Sequence, residues 1–179
     1  SECRTWGASM SWKKWAAVAA GAVAALGVAT PAASAADYGP YPITNNYSGR
    51  CLEPQGTANG APVVLWDCWE VTNRWYLRYV SYDSRYQVVD SVSGRCLDAR
   101  WQEIGGNGTP IQLWDCLGGG QTNQVWWVFQ DGYRNYTIQN VYNSRVLDAQ
   151  WQQLGHNGTP VQLWDDLGAG QANQRWGVL

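Results

Sequence analysis

Two stretches of this chain carry the same reactive side chains in the same order, 50 residues apart. The first holds Asp98, Gln112, Trp114, Asn123 and Gln124; the second holds Asp148, Gln162, Trp164, Asn173 and Gln174. An ionised carboxylate only accepts hydrogen bonds and takes hydroxyl donors at charge-assisted strength, whereas Asn and Gln amides both donate and accept. A tryptophan ring offers a broad apolar face. Together these types suit a ring with C–H groups on one face and hydroxyls round its edge, which describes a pyranose. Their recurrence as a set implies that they converge in space. The bland alternatives are aspartates that cap local turns and tryptophans that fill the core. Trp101 and Trp151, three residues past each Asp, either widen the aromatic platform or pin the long loop that follows.

Other chemistries are poorly served. A small glycoside hydrolase needs two carboxyl groups flanking one bond, but the aspartates come once per copy, with no second acid at the matching place except in the degenerate first copy. A catalytic site is normally unique, and repetition argues for binding. His156 is the only histidine and has no partner for nucleophile activation. No Cys-x2-Cys spacing supports zinc, and Asp165-Asp166 is too small a cluster for calcium. No metal and no cofactor are expected. A protease inhibitor or other protein-binding module would want one idiosyncratic exposed loop, whereas here the loops themselves are repeated.

The elements that position these residues are short strands. Residues 96–126 and 146–176 share 21 of 31 positions, and a weaker, shorter copy occupies 51–75. The alternating β-formers Tyr86-Gln-Val-Val-Asp and Tyr136-Thr-Ile-Gln-Asn read as strands, as do Arg95-Cys-Leu-Asp, Pro110-Ile-Gln-Leu-Trp and Val125-Trp-Trp-Val-Phe. Ser93-Gly94, Asn107-Gly108 and Gly118-Gly119-Gly120 separate them. Asn107-Gly-Thr and Asn157-Gly-Thr match the glycosylation sequon, but Asn-Gly is better explained as a turn. Four strands in each of three repeats, about 41–80, 86–130 and 136–179, give about twelve. A propeller generally needs four blades, and an open stack leaves edges. A closed, threefold, all-β barrel fits.

The ends and composition bound the rest. Residues 1–9 precede the only methionine, Met10, and read as upstream residues. Lys13 and Lys14, the apolar run from Trp15 to Val28 and the small-x-small Ala33-Ser34-Ala35 make residues 10–35 a secretory signal peptide, too short and too rich in Ala and Gly for a spanning helix. The mature chain then starts near Ala36, is secreted and does not insert in a membrane. From Ala36 onward nine arginines face thirteen acids, a net charge of 9 − 13 = −4 without a basic cluster, which argues against a nucleic-acid partner. Cys51, Cys68, Cys96 and Cys116 form an even set, as disulfides in an exported chain require.

Cys-Leu-Asp, then Gln-Leu-Trp-Asp-Cys, then Asn-Gln-x-Trp, repeated through residues 41–179, resembles the ricin B-like lectins, also called carbohydrate-binding module family 13. The resemblance implies a β-trefoil, a six-stranded barrel capped by three hairpins, with a shallow sugar site possible in each repeat. It implies that Asp98 and Asp148 accept from two sugar hydroxyls, that Trp114 and Trp164 stack on the sugar, and that Asn123 and Asn173 bind a hydroxyl. It also implies that Gln124 and Gln174 brace the aspartates and that Trp126 and Trp176 are core. Gln112 and Gln162 complete the carried-over sets. On this reading the aspartates are half-exposed acceptors that add little to stability.

The first repeat departs from the pattern. Glu53 replaces the Asp, Val64 replaces the Gln, and Asn73-Arg74-Trp75 is one residue short, so this site should be silent. In the third repeat Val146 and Asp166 replace both cysteines of the second, which pairs Cys96 with Cys116 and, by analogy, Cys51 with Cys68. The expectation is a monomeric lectin whose partner is carbohydrate, a galactose-type or xylan-type glycan. Its tryptophan platform resembles those of galactose binders more than the tyrosines of xylan binders.

Overall fold

The computed structural model describes residues 37–70, 72–81 and 83–178. The signal segment 10–35 lies outside the described residues. The fold is all-β, with four strands from each repeat. The first gives β2 (Ile43–Asn45), β3 (Cys51–Pro54), β4 (Val63–Trp66) and β5 (Trp75–Ser81), preceded by an extra strand, β1 (Tyr38–Tyr41). The second gives β6 (Arg85–Asp90), β7 (Cys96–Ala99), β8 (Thr109–Trp114) and β9 (Trp126–Gly132). The third gives β10 (Asn135–Asn140), β11 (Val146–Ala149), β12 (Thr159–Trp164) and β13 (Trp176–Val178).

The thirteenth strand has a simple cause. β1 and β2 are halves of one extended run broken at Pro42, which has no N–H for a ladder. β1 pairs with β5 and β2 with β13, so the run bridges the two ends of the barrel sheet. Antiparallel pairs β13–β10, β10–β9, β9–β6 and β6–β5 complete the ring. A closed ring leaves no unpaired edge. The hairpins β3–β4, β7–β8 and β11–β12 meet one another through Thr159–Leu65, Gln162–Pro110 and Pro62–Gln112 and cap one end. This is a β-trefoil.

Alternation along the strands sends one face into a threefold core. Trp75, Trp126 and Trp176 are fully buried there with Leu52, Leu97 and Leu147. Each indole N–H donates to the matching leucine carbonyl, at 3.1, 3.1 and 3.0 Å. Cys51–Cys68 and Cys96–Cys116 are bridged, with Cα atoms 5.0 and 5.1 Å apart. Each bridge is worth about 3 kcal/mol by loop closure. In the third repeat Val146 is buried, and Asp166 takes a 3.0 Å ion pair from Arg175.

The Asn-Gly turns stitch neighbouring repeats together. Asn107 Oδ1 accepts from the Asp165 amide and from Arg145 Nε, both at 2.9 Å, while its Nδ2 donates to Asp165 at 3.0 Å. Asn59 makes the same bonds to Asp115 and Arg95, and Asn157 to Asp67 and Arg50. Each clamp grips the residue directly after the platform tryptophan of an adjacent repeat. Gly108 sits at φ 89°, a left-handed conformation that favours glycine.

Candidate sugar-binding sites

The site begins with a cross-strand pair. On the second hairpin Asp98 lies directly opposite Gln112, and on the third Asp148 lies opposite Gln162. Facing residues on paired strands are in contact range, and each Gln Nε2 donates to the Asp Oδ1 at 2.9 Å. Single 3-10 turns, Thr122–Gln124 and Ala172–Gln174, then bring the Asn-Gln pairs onto the other carboxylate oxygen. Asn123 and Gln124 donate to Asp98 Oδ2 at 2.8 and 3.0 Å, and Asn173 and Gln174 donate to Asp148 Oδ2 at the same distances.

This geometry corrects one expectation. The aspartates are not half-exposed, since each is 4% exposed and accepts three amide donors. A carboxylate has about four acceptor directions, and amide donors occupy three of them at each aspartate. Asn123 Oδ1 and Asn173 Oδ1 are buried and have no donor among the described residues, a costly state for a polar atom. Burial raises the pKa of both aspartates against the opposing pull of their amide donors, and Arg100 adds a further lowering influence at Asp98 only.

Gln124 and Gln174 brace the aspartates, as expected. Gln124 is fully buried: its Nε2 serves Asp98 and the Asp115 carbonyl, and its Oε1 accepts the Leu117 amide. Gln174 repeats this with Asp148, Asp165 and Leu167. The aspartates' partners are side-chain amides, so they do not cap local turns. Trp114 is 37% exposed and Trp164 is half-buried, so neither is core.

Asp98, Gln112, Trp114 and Asn123 converge on a pocket of about 210 Å³, and Asp148, Gln162, Trp164 and Asn173 on one of about 150 Å³. Gln102, Gln121, Gln152 and Gln171 also line these pockets. Sequence reasoning passed over them, although their identity at an offset of 50 residues was the available signal. His156 is exposed, and its carbonyl accepts from the Thr159 hydroxyl and backbone amide.

The first repeat does not assemble the same constellation. Glu53 faces Val64, which has no amide to offer, and Glu53 Oε2 is buried without a partner among the described residues. Asn73 donates to Asp90 at 2.8 Å. Asp90 is the reason. Asn45 and Asn140 stand at its equivalent positions and donate to the carbonyls of Asn173 and Asn123, at 3.0 and 3.2 Å. Asp90 has no donor there and draws the Asn73 amide to itself. The Trp66 ring N–H is taken by Glu70 at 2.7 Å.

Burial first, and then the Asp90 charge, push the Glu53 pKa up to about 7, against the pull of Arg74. Because the folded value lies above the unfolded one, stability falls as pH rises from about 4.5 to about 7. Glu53→Met, which keeps the volume and removes the charge, should therefore stabilise the protein by roughly 1–2 kcal/mol at pH 8, after allowing for solvent screening. It should have little effect near pH 4. Urea unfolding at the two pH values checks this; an equal effect at both would show that the carboxylate is not the cause.

The sequence matches the family described as ricin-type beta-trefoil lectin domain over residues 39–176. No curated protein sequence matches the chain. Among solved structures, the designed 3-fold symmetric protein ThreeFoil is 24% identical with TM-score 0.68, covering 78% of this chain and 96% of its own. The exo-beta-1,3-galactanase 1,3Gal43A of Clostridium thermocellum is 26% identical with TM-score 0.69; the match covers 83% of this chain but 30% of the galactanase. A Macrolepiota procera ricin B-like lectin, solved in complex with lactose, is 19% identical with TM-score 0.63, covering 83% of this chain and 98% of its own. With its repeated Asp–Gln–Asn–Trp constellations and a family match across the whole trefoil, this chain belongs to the ricin-type β-trefoil lectins.

Proposed function

We propose that this protein is a secreted, monomeric, non-catalytic lectin with two sugar sites, in the second and third repeats, for galactose-type glycans. One observation carries the reading: an Asp held by three amides beside an unpaired Asn carbonyl and an open tryptophan face occurs at both sites. These groups accept hydroxyl protons and stack on C–H faces. The amide-bound aspartates leave no free carboxyl pair for glycosidic chemistry within either constellation. The choice of galactose over xylan draws support from the tryptophan platforms and from the lactose-bound and galactanase neighbours. The two disulfides favour an oxidising compartment, in keeping with the signal-like segment 10–35. Among the described residues no helix is long and apolar enough to cross a membrane.

Calorimetric titration with methyl β-galactopyranoside tests the proposal. A shallow site of this kind should bind in the millimolar range, near −4 kcal/mol, and saturate at two equivalents. Three equal equivalents would restore the first repeat as a site. No binding of the galactoside, alongside binding of xylose, would overturn the choice of sugar.

A further inference from the structure

Each site has a second aromatic surface that the constellation above does not use. Trp101 and Trp151 begin the single 3-10 turns Trp101–Glu103 and Trp151–Gln153. They are 50% and 57% exposed, and each lines the same pocket as its platform, Trp114 or Trp164. Each is also backed by a tyrosine from the following repeat in the threefold cycle. Trp101 meets Tyr142 with ring centres 5.1 Å apart and planes at 68°, and Trp151 meets Tyr47 at 5.3 Å and 65°. Edge-to-face packing fixes the ring's orientation. With the tyrosine in place, about half of each tryptophan's surface stays open to solvent.

The pairs track the intact sites. Tyr47, Val92 and Tyr142 occupy one equivalent place, two residues past Asn45, Asp90 and Asn140. Val92, exposed like the tyrosines, stands on the turn that faces the first repeat's short loop, and that loop carries no tryptophan. Both rings are therefore present at the two repeats that keep the Asp constellation and absent at the one that lost it. Loop pinning does not account for them. The loop after Trp101 is already held by the Thr109 hydroxyl, which donates to Glu103 O and Gly106 O at 2.8 and 2.9 Å, and by Asn143, which donates to Ile104 O at 2.9 Å. Thr159 holds the third-repeat loop through Gln153 O and His156 O, at 2.6 and 2.7 Å.

We infer that Trp101 with Tyr142, and Trp151 with Tyr47, form a second subsite beside each sugar site, so that the preferred ligand is a glycan of at least two pyranose rings. The inference rests on the lectin reading above. The first ring sits against Asp98, Asn123 and Trp114, and the next lays its C–H face on Trp101. The third repeat does the same with its own residues. Aromatic contact of this kind is worth enough to tighten binding by about 5- to 10-fold.

The test compares methyl β-galactopyranoside with β-1,3-galactobiose by calorimetry on the wild type, the Trp101→Ala/Trp151→Ala variant and the Tyr47→Val/Tyr142→Val variant. The last copies the valine that the chain itself places at this turn, so it should fold. Wild type should bind the disaccharide about 5- to 10-fold more tightly than the monosaccharide. The tryptophan variant should lose that gain while keeping two monosaccharide equivalents at unchanged affinity, and the tyrosine variant should lose part of it. Equal affinity of wild type for both sugars overturns the subsite alone, as does a tryptophan variant that keeps the full gain. A wild type that binds neither sugar overturns the lectin reading for this sugar class, and the subsite falls with it.

Discussion

Asp148→Asn should silence the third-repeat site and leave the protein folded. In the wild type Asp148 Oδ2 accepts from Asn173 and Gln174, and an asparagine carbonyl can keep both bonds. The new amide nitrogen then faces Gln162, which donates to Oδ1 in the wild type. A glutamine amide can turn over and present its oxygen instead. What disappears is the charged acceptor for a sugar hydroxyl, worth about 1.5–3 kcal/mol, or roughly 10- to 100-fold in affinity at that site. Monosaccharide stoichiometry should fall from two equivalents to one. Retention on a polyvalent galactose matrix should fall much further, because two sites on one body gain up to about 10²-fold when both engage. Asp98→Asn should silence its site too, at a larger cost in stability. Arg100 Nε donates to Gln112 Oε1 at 3.3 Å, and turning that amide sets two donors face to face. Asp→Ala at either position is a poorer probe, since it strands three buried amide N–H groups at about 1–3 kcal/mol each before any reorganisation. An Asp148→Asn protein that still binds two equivalents at unchanged affinity would place the sugar elsewhere.

A closed, threefold, all-β barrel was legible because the sequence repeats one unit three times, and the family resemblance implied that it is a β-trefoil. Gln-x-Trp at 124–126 and 174–176 marks where each repeat returns to the core, and those tryptophans are buried there. The extra strand was not legible, since a proline inside an extended run reads as an interruption and only the closed ring shows both halves paired. At the site, residue types and spacing identified the participants but not their division of labour. Asp98 reads as a sugar ligand in the sequence, yet most of its acceptor capacity serves Gln112, Asn123 and Gln124. That sharing depends on burial and on the 3-10 turn, neither of which a one-dimensional pattern contains. The departure of the first repeat from the constellation reads locally as Glu53 and Val64. Part of its cause is Asp90, which lies in the next repeat and matters only because Asn73 can reach it. The clamps carry the same lesson, for Asn59 of the first repeat holds Asp115, next to Trp114 of the second.

Trp126→Ala should damage the fold far more than any change at the sugar surface. Its ring is fully buried at the centre of the barrel. Truncating a buried tryptophan costs about 3–5 kcal/mol. The loss also leaves the Leu97 carbonyl without the donor that meets it at 3.1 Å, a further cost of about 1 kcal/mol or more. A domain of this size has a total stability of about 5–15 kcal/mol, so the variant should be unfolded or close to it at 37 °C. Trp176→Ala should behave alike, because its ring is equally buried and bonds Leu147 O at 3.0 Å. Trp114→Ala is the contrast within the same repeat. That ring is 37% exposed on the pocket wall, so its removal should cost about 2 kcal/mol of stability, well short of the core loss, while eliminating binding at the second-repeat site. Urea unfolding of the two variants beside galactoside titration separates the roles. Trp126→Ala within about 1 kcal/mol of wild type, or Trp114→Ala unfolded with it, would mean that the core and the platform have been assigned to the wrong rings.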